Sequence, residues 1–255
     1  MTAVITAALP YVNAPPHVGH ALELVQVDTL ARERRLAGET VLVVSGTDDN
    51  SLKNVRAAAA EGLPVPALVE RNARRFTDLA ERLDVRFDGF THAGLDPTHR
   101  RAVHELWRQV AARGDLYRSR YRGLYCVGCE QFFSPEELDG RLCPEHGVPP
   151  EPVEEDNWFF RLSRSERVLR DSVERDELSI VPESKKREVL AFIGAGLRDF
   201  SVSRSLSRAR GWGVPVPDDP DQVVFVWFDA LAGYLSALRW PDADSPGSTR
   251  RNARR

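Results

Sequence analysis

The sequence predicts an α/β fold built on a parallel sheet, and the order of apolar and helical segments in its amino-terminal part carries that prediction. An apolar run at residues 3–9 is followed by a helical pattern from residue 17 to about residue 36. Gly38 ends the helical pattern, and a second apolar run occupies residues 41–44. Strand, helix and strand in this order form the unit that makes a parallel sheet with a right-handed crossover.

The rest of the chain adds further helices and one more buried strand. The helical patterns cover residues 51–61, 63–83, 97–112, 163–174 and 184–194. Residues 85–90 predict a short strand or a loop, and the Pro- and Glu-rich residues 149–156 predict a linker. The continuous apolar run at residues 223–228 predicts a strand that is buried on both faces of the parallel sheet.

Candidate ligand-binding residues stand directly after the first two predicted strands. His17 and His20 follow the first strand, and Asp48 follows the second. Open α/β sheets bind ligands at the carboxyl ends of their strands, so these groups define the predicted site. The helix between them is expected to bury one face, because apolar residues recur along it at spacings of three and four. That face comprises Val18, Ala21, Leu22 and Val25.

The segment His17-Val18-Gly19-His20 opens the predicted helix. The two histidines are three residues apart in the first turn, so they point roughly the same way. Gly19 has no Cβ, which lets a flat ligand approach the backbone closely. Free amides at a helix start favour anions such as phosphate. The arrangement fits a nucleotide triphosphate, and the alternative is that the histidines only cap the helix.

Composition and charge exclude several classes of protein. With 255 residues, 42% of them hydrophobic, the chain can form one large or two small domains. A net charge of -3 argues against a generally basic nucleic-acid binder. The amino terminus has no signal-peptide pattern, and no apolar run approaches the roughly 18 residues of a membrane span. We therefore expect a cytoplasmic protein that has no membrane partner.

All three cysteines of the chain fall in one metal-binding pattern. Cys126 and Cys129 form a first elbow, and Cys143 and His146 form a second one. Four soft or borderline ligands suit tetrahedral zinc, and a four-coordinate site is structural rather than catalytic. The alternative, a redox Cys-x-x-Cys pair, leaves Cys143 and His146 unexplained. The remaining histidines, at 92, 99 and 104, are interpreted as surface or capping residues.

Two short segments resemble a known enzyme family. Ala-Leu-Pro-Tyr-Val-Asn at residues 8–13 and Pro-His-Val-Gly-His-Ala-Leu-Glu at residues 16–23 resemble the start of methionyl-tRNA synthetases, which are class I aminoacyl-tRNA synthetases. The resemblance implies an α/β fold with a Rossmann-type parallel sheet, interrupted by a connective-peptide insertion that carries a zinc knuckle. It also implies that His17, Gly19 and His20 bind ATP, and that the two histidines act catalytically on the α-phosphate during adenylate formation.

The same resemblance implies a methionine site. Gly46-Thr47-Asp48 matches a family segment in which the residue at Asp48 anchors the amino group of the substrate, although this chain has Asn50-Ser51 where His-Gly is common. The alternative is that Asp48 caps the helix at 51–61. The implied side-chain pocket comprises Leu9, Tyr11, Trp227, Ala230, Leu231 and Tyr234. Aromatic walls suit a thioether, and the alternative is that Trp227 is an ordinary core residue.

Arg204 is the last residue to which the resemblance gives a role. Residues 196–204 resemble a family segment in which the arginine at the position of Arg204 lies near the active site and assists activation. The alternative, argued from the residues alone, is a surface turn with an ion pair from Arg204 to Asp199 or Asp221.

The resemblance also predicts the domain organisation. The first half of the catalytic domain is expected at residues 1–115, the connective-peptide insertion at 116–213, and the start of the second catalytic half at 214–241. Residues 242–255 are expected to form a disordered basic tail, either as the scar of a truncated reading frame or as an RNA contact.

The resemblance runs from residue 4 to about residue 241 and then stops. The family continues with a Lys-Met-Ser-Lys-Ser loop and an anticodon-binding domain, and these 255 residues contain no Lys-x-Ser-Lys sequence. That loop supplies cations to the pyrophosphate leaving group. We therefore expect a weak methionine-activating enzyme, with an exposed sheet edge beside residues 223–228 and a second polypeptide that completes the fold.

The expected substrates are methionine and ATP with Mg²⁺, and the expected acyl acceptor is tRNA, an expectation weakened by the lack of an anticodon-binding domain. A degenerate paralogue that binds methionine or ATP without turnover, as a sensor or as a partner of a synthetase, is the alternative function.

Overall fold

A parallel sheet of three strands forms the amino-terminal part of the protein, in a computed structural model that describes residues 2–242. The sheet contains β1 (Thr2–Thr6), β2 (Thr40–Thr47) and β3 (Gly89–His92) in the order β1-β2-β3. β2 pairs in parallel with both neighbours. The predicted strand–helix–strand unit is confirmed, and β1 forms one edge of this sheet.

Helix α1 (Val18–Leu36) connects β1 to β2, but its buried face is not the predicted one. Its buried residues are Val27 and Ala31, which pack against the sheet. Val18 and Leu22, on the face predicted to be buried, are 86% and 59% exposed. The prediction was wrong because an apolar spacing shows that a stripe exists without showing what covers it, and no element within residues 2–242 buries these two side chains.

Three further helices of the amino-terminal part match the predicted patterns. They are α2 (Leu52–Glu61), α3 (Val65–Arg82) and α4 (Pro97–Ala112). Ser51 caps α2, because its hydroxyl accepts a hydrogen bond from the Lys53 N–H at 3.1 Å. The alternative in which Asp48 caps this helix is therefore wrong, and the Asp48 side chain is free for another role.

An antiparallel sheet of four strands follows α4. It contains β4 (Leu116–Cys126), β5 (Gln131–Phe133), β6 (Glu151–Phe160) and β7 (Phe200–Ser201), in the order β5-β4-β6-β7. Helices α5 (Glu166–Glu174) and α6 (Glu183–Gly194) lie between β6 and β7 in the chain and confirm the two helical patterns there.

The linker predicted at residues 149–156 is wrong, because most of it belongs to β6. β6 pairs with β4 along its whole length. Val153 and Asn157 are buried on one face, whereas Glu154 on the other face forms ion pairs with Arg120 and Arg122 of β4. Opposite charges across neighbouring strands stabilise a sheet, so a Glu-rich segment can form a strand when its partner strand is Arg-rich.

A small antiparallel sheet and a last helix complete the described chain. The sheet contains β8 (Ser203–Ser205), β9 (Pro215–Val216) and β10 (Asp219–Val224), with β10 in the middle. Helix α7 (Val226–Ala237) follows β10 almost directly.

The prediction of a parallel strand at residues 223–228 is therefore wrong. The apolar run is divided between an antiparallel strand and the first turn of a helix, and apolarity alone does not separate a buried strand from a buried helix. Strand β10 has a partner on each side, so the sheet edge predicted beside this run is wrong; within residues 2–242 the edge strands of the parallel sheet are β1 and β3.

The largest hydrophobic cluster joins α4 to the later elements. It contains Val103 and Trp107 of α4, Leu116 of β4, Val224 of β10 and Ala232 of α7. Helix α7 also contacts β2 and β3, so the last described helix packs against the amino-terminal parallel sheet.

Several expectations about organisation are not tested by the fold. The domain boundaries at 115/116 and 213/214 stay predictions, and all but Asp242 of the predicted tail lies outside the described residues. Within residues 2–242, no helix is both long and apolar enough to cross a membrane.

Candidate active site

The start of α1 is a compact cap that both histidines build. His17 is the N-cap residue, and its Nδ1 accepts a hydrogen bond from the Gly19 N–H at 3.1 Å. In return, the backbone N–H of His17 donates to His20 Nδ1, also at 3.1 Å. The two rings stack with their centroids 3.9 Å apart. The capping alternative is therefore correct as a description of the contacts, and it leaves a ligand role possible.

Gly19 is required by the position of the His17 ring. A Cβ at residue 19 would lie 2.9 Å from His17 Cε1, closer than such atoms normally approach. The His20 ring also contacts Phe76 edge-on, with centroids 5.0 Å apart. Burial and the neighbouring His17 lower the pKa of His20, against an opposing effect of Glu23. A neutral His20 beside exposed helix amides can donate one hydrogen bond to a phosphate without a charge of its own.

Asp48 stands at the carboxyl end of β2 and is almost fully buried. Its backbone bridges to Tyr11, and its Oδ1 has no hydrogen-bond partner among the described residues. Burial, followed by the charges of Asp229, Asp49 and Glu130, raises the pKa of Asp48 well above its ordinary value. A buried carboxylate without a cation is unfavourable, so this group is suited to receive an ammonium ion.

Asp49 lies beside Asp48 and is held by the surrounding backbone. Its Oδ2 accepts a hydrogen bond from the Gly94 N–H at 2.9 Å. Its carbonyl oxygen accepts one from the indole Nε1 of Trp212 at 2.8 Å. Burial raises the pKa of Asp49 to about 6 despite these donors. Two adjacent buried carboxylates therefore give this strand end a strongly negative character.

A buried histidine that was not selected as a site residue from the sequence lies next to these carboxylates. His99 of α4 is completely buried, and its Nε2 lies 2.6 Å from Asp229 Oδ1 of α7. Its Nδ1 lies 3.0 Å from the Ser236 hydroxyl. The interpretation of His99 as a surface or capping residue is thus wrong, because α7, which is remote in sequence, covers it.

Arg204 is buried, not part of a surface turn. It is 6% exposed and lies in β8. Its Nη1 donates to the Ser201 hydroxyl and to the Ser203 carbonyl oxygen, while Nε and Nη2 have no partner among the described residues. The guanidinium lies over the Phe225 ring, 3.7 Å from its centroid, and burial lowers the pKa of Arg204 to about 10. The alternative of an ion pair with Asp199 or Asp221 is wrong.

Arg204 borders a cavity between the antiparallel sheets and the end of β2. Glu130 and Tyr125, which hydrogen-bond to each other, lie on one side of this cavity. Asn50 and Trp212, from the edge of the acidic cluster, lie on the other side. The unpartnered N–H groups of a buried guanidinium can bind an anionic group, such as a carboxylate, in this cavity.

The residues expected to hold a methionine side chain come from two places in the chain. Leu9 packs against Gly233 of α7: a Cβ added to Gly233 would lie 2.9 Å from Leu9 Cδ2. Tyr11 packs against Phe225 and Val226, at the start of α7. The Lys53 ammonium lies 4.2 Å from the centroid of the Tyr11 ring.

The α7 members of this set are accessible. Trp227 and Leu231 are 52% and 60% exposed, so the alternative in which Trp227 is an ordinary core residue is wrong. Ala230 and Tyr234 are half-buried. Burial, and then the charge of Glu23, raise the pKa of Tyr234.

The predicted metal ligands converge on one point. The ligand atoms of Cys126, Cys129, Cys143 and His146 all lie within 4.8 Å of one another. Cys129 Sγ lies 3.3 Å from Cys143 Sγ and 3.1 Å from His146 Nδ1. Gly128 allows this approach, because a Cβ there would lie 2.5 Å from the His146 ring. Three sulfurs and one imidazole in this arrangement can hold a tetrahedral metal ion.

Fold and site together define a class of protein, and comparison with known families agrees. A family model described as tRNA synthetases class I (M) matches residues 3–149 and 135–248. The chain belongs to this family, and its fold is the Rossmann-type α/β fold implied by the sequence resemblance.

Within the family, the chain is similar to methionine–tRNA ligases. It is 42% identical over 238 residues to the chloroplastic/mitochondrial methionine–tRNA ligase of Arabidopsis thaliana, covering 93% of this chain and 38% of that protein. It is 42% identical over 245 residues to methionine–tRNA ligase of Mycobacterium tuberculosis strain H37Rv, covering 94% of this chain and 46% of that protein. The chain thus spans less than half the length of these relatives.

Solved structures show the same likeness. The M. tuberculosis methionyl-tRNA synthetase in complex with methionyl-adenylate superposes with a TM-score of 0.89 at 42% identity, over 96% of this chain and 48% of that one. The apo form of the same synthetase superposes with a TM-score of 0.78 at 39% identity, over 96% of this chain and 47% of that one.

Proposed function

We propose that this chain carries the methionine-activating site of a methionine–tRNA ligase. In the reaction, the methionine carboxylate attacks the α-phosphate of ATP, pyrophosphate leaves, and the methionyl group passes from the adenylate to tRNA. The observation that carries the proposal is the buried carboxylate of Asp48, whose Oδ1 has no hydrogen-bond partner within residues 2–242. It lies at the end of β2, where the Asp48 backbone bridges to Tyr11.

His17, Gly19 and His20 are proposed to bind ATP, with the two histidines acting on the α-phosphate. The exposed amides of the first turn of α1 and the partial positive charge of the helix start favour phosphate oxygens. The reciprocal cap fixes both rings before a ligand arrives, so their donors are already positioned for the charge that develops in the transition state. Magnesium is proposed to enter with ATP.

Asp48 is proposed to bind the methionine ammonium group. An ion pair with the substrate would compensate a carboxylate that is otherwise buried among other acids. Arg204, whose free N–H groups border the neighbouring cavity, is proposed to assist activation from there. The side-chain pocket is proposed to comprise Leu9, Tyr11, Trp227, Ala230, Leu231 and Tyr234, with aromatic rings contacting the sulfur.

Cys126, Cys129, Cys143 and His146 are proposed to hold a structural zinc ion. Cys126 and Cys143 are buried and pack with Phe133, so the ion would crosslink a small core under β4 and β5. Metal analysis of the purified chain should give one zinc per chain. Cys143→Ser should release it, whereas Ser119→Cys is not expected to add a second ion. A chain that folds fully without metal would contradict this role.

A further stretch of synthetase polypeptide is proposed to complete the catalytic domain, in the same chain or as a second chain. The free edge of β1 and the exposed apolar face of α1 support this proposal, because both features favour association with another segment. That polypeptide would supply the Lys-Met-Ser-Lys-Ser loop and the tRNA anticodon contacts. A cytoplasmic location and the domain boundaries 1–115, 116–213 and 214–241 belong to the same proposal.

Methionine-dependent ATP–pyrophosphate exchange on the purified, metal-loaded chain tests this function. We expect weak exchange that Asp48→Ala abolishes and that Asp78→Ala, an exposed carboxylate on α3, leaves unchanged. Calorimetric methionine binding without exchange would indicate a binding module, or a half-site that needs the missing polypeptide. The absence of both pyrophosphate exchange and methionine binding would overturn the proposal.

A further inference from the structure

A continuous set of buried hydrogen bonds connects α4 to the carboxyl end of β2. His99 Nε2 contacts Asp229 Oδ1 at 2.6 Å, and the other oxygen of Asp229 accepts a hydrogen bond from Asn50 Nδ2, also at 2.6 Å. His99 and Asp229 are completely buried. At its far end, the His99 ring contacts Ser236, whose hydroxyl donates to Thr91 on β3. His99 on α4 and Asn50 after β2 therefore each hold one oxygen of the Asp229 carboxylate, and Ser236 ties α7 to β3.

Asn50 links this buried pair to Asp48. Its side-chain N–H groups are both used, one on Asp229 and the other on the Ala93 carbonyl oxygen at 3.2 Å. Asn50 follows Asp48 by two residues, in the loop between β2 and α2. The orientation of the residue 48–50 loop, and with it the direction of the Asp48 side chain, therefore depends on where Asp229 holds the Asn50 amide.

Charge in this cluster is distributed unequally. Burial opposes protonation of His99, but Asp229, through its charge and its hydrogen bond, and then Asp49 and Asp96, give a net rise in the pKa of His99. Asp229 thus has the His99 ring and the Asn50 amide as hydrogen-bond partners. The Oδ1 of Asp48 has no partner among residues 2–242. The strongest remaining attraction for a cation in the cluster is at Asp48.

We propose that His99 and Asp229 are positioning residues that hold Asp48, through Asn50, in the orientation that binds the substrate ammonium group. This assignment rests on the proposed function, because it takes Asp48 as the amine site. Neither His99 nor Asp229 needs to touch methionine, and Asn50 only connects them to Asp48. Because the His99 ring is engaged by Asp229, it does not occupy Asp48, which is left for the substrate.

Asn50 offers the sharpest test, because its side-chain amide joins Asp229 to the loop that carries Asp48. We would measure the affinity of Asn50→Ala by calorimetry for L-methionine and for des-amino methionine, which lacks only the ammonium group. Loss of a hydrogen bond to a charged group corresponds to a loss of about tenfold or more in affinity. We expect that loss for methionine, and a change of less than about twofold for the des-amino compound.

Two further variants separate positioning from general damage. Asn50→His, which keeps a ring N–H donor toward Asp229, should retain methionine affinity within about threefold of the wild type. His104→Ala removes a histidine that contacts only the Pro215 carbonyl oxygen, outside this set of residues, and should leave both affinities unchanged. If Asn50→Ala does not fold, the Asn50→His variant still tests the proposal. An equal loss of affinity for L-methionine and des-amino methionine in Asn50→His would contradict the positioning role.

The outcomes distinguish this inference from the function on which it rests. Absence of methionine binding by the wild-type chain would overturn the proposed function and this assignment together. Methionine binding that Asn50→Ala weakens equally for both ligands would leave the proposed function intact and overturn the positioning role. A loss confined to the ligand that carries the amine would support it.

Discussion

The helix start at His17 and the acidic cluster around Asp48 lie at the ends of neighbouring parallel strands, yet they are built in opposite ways. At the helix start, the polar contacts join residues two and three positions apart. In the cluster, the contact from Asn50 to Asp229 joins residues 179 positions apart. The first unit is specified locally, whereas the second exists only after α4 and α7 have packed together.

The two units also differ in how well their polar groups are satisfied. The histidine cap pairs its own donors and acceptors and remains accessible to solvent. The cluster buries Asp48, Asp49 and Asp229 together, with His99 as a buried partner of Asp229. One oxygen each of Asp48 and Asp49 has no partner in the described part of the chain. Under the proposed function, the difference means that the phosphate site is formed before ATP binds, whereas the amine site holds buried carboxyl groups that are satisfied only when a cation binds.

Removal of His99, the buried hydrogen-bond partner of Asp229, should cause the largest loss of stability. His99→Ala leaves Asp229 buried with only the Asn50 amide as a partner, and breaking a buried pair in this way typically destabilises a protein by about 3–5 kcal/mol. Urea denaturation should show this loss. His104→Ala, whose ring is largely outside the core, should lower the free energy of unfolding by less than about 1 kcal/mol. If His99→Ala and His104→Ala lowered the free energy of unfolding equally, the buried acidic cluster would be no more important to stability than the position of His104.

The pH dependence of stability should carry the signature of the cluster. Burial raises the pKa of Asp49 to about 6, and Asp229 contributes to a raised pKa of His99. Both groups bind protons more tightly in the folded state, so their stabilising contribution is present at low pH. It is lost as pH rises through their folded pKa values, with a slope of at most about 1.4 kcal/mol per pH unit for each group.

Denaturation measured between about pH 5.5 and pH 8 checks this sign. Asp49→Asn should flatten the slope at the acidic end of the range, and added methionine should flatten it further if its ammonium group stabilises ionised Asp48. Stability that increases with pH across this range would contradict the account of the cluster.

The smallest effect is expected at the helix start. Gly19→Ala places a Cβ 2.9 Å from His17 Cε1, so the ring must move and the cap weakens. Part of that loss is offset because alanine favours the helix, and we expect a net destabilisation of less than about 1 kcal/mol. Gly194→Ala, at the end of α6 with open space around it, is the matched control and should be neutral or stabilising. If Gly19→Ala stabilised the protein, the observed position of the His17 ring would not contribute to the stability of the α1 cap.

Local patterns explain what could be predicted from the sequence. The strand–helix–strand unit, the cap at His17 and the Cys126–His146 knuckle each depend on residues close together, or on ligands whose chemistry is distinctive. The buried face of α1 and the strand at residues 223–228 were wrong for one physical reason. Apolarity shows that a segment has a face suited to burial, but it shows neither what covers that face nor which type of element the segment forms.

The same limit explains why the site was predicted only in part. His99 and Asp229 are 130 residues apart, and nothing near either one in the chain signals the contact between them. Arg204 was selected through the family resemblance, but its stacking on Phe225 and its lack of an ionic partner depend on the packing of β8 against α7 and β5. Only tertiary structure joins these groups.

The most direct test of the central claim is a crystal structure of the metal-loaded chain with L-methionine. The account predicts the ammonium nitrogen within about 3 Å of an Asp48 carboxylate oxygen, with the thioether between Tyr11 and α7. Ordered methionine whose ammonium group lies away from Asp48 would contradict it.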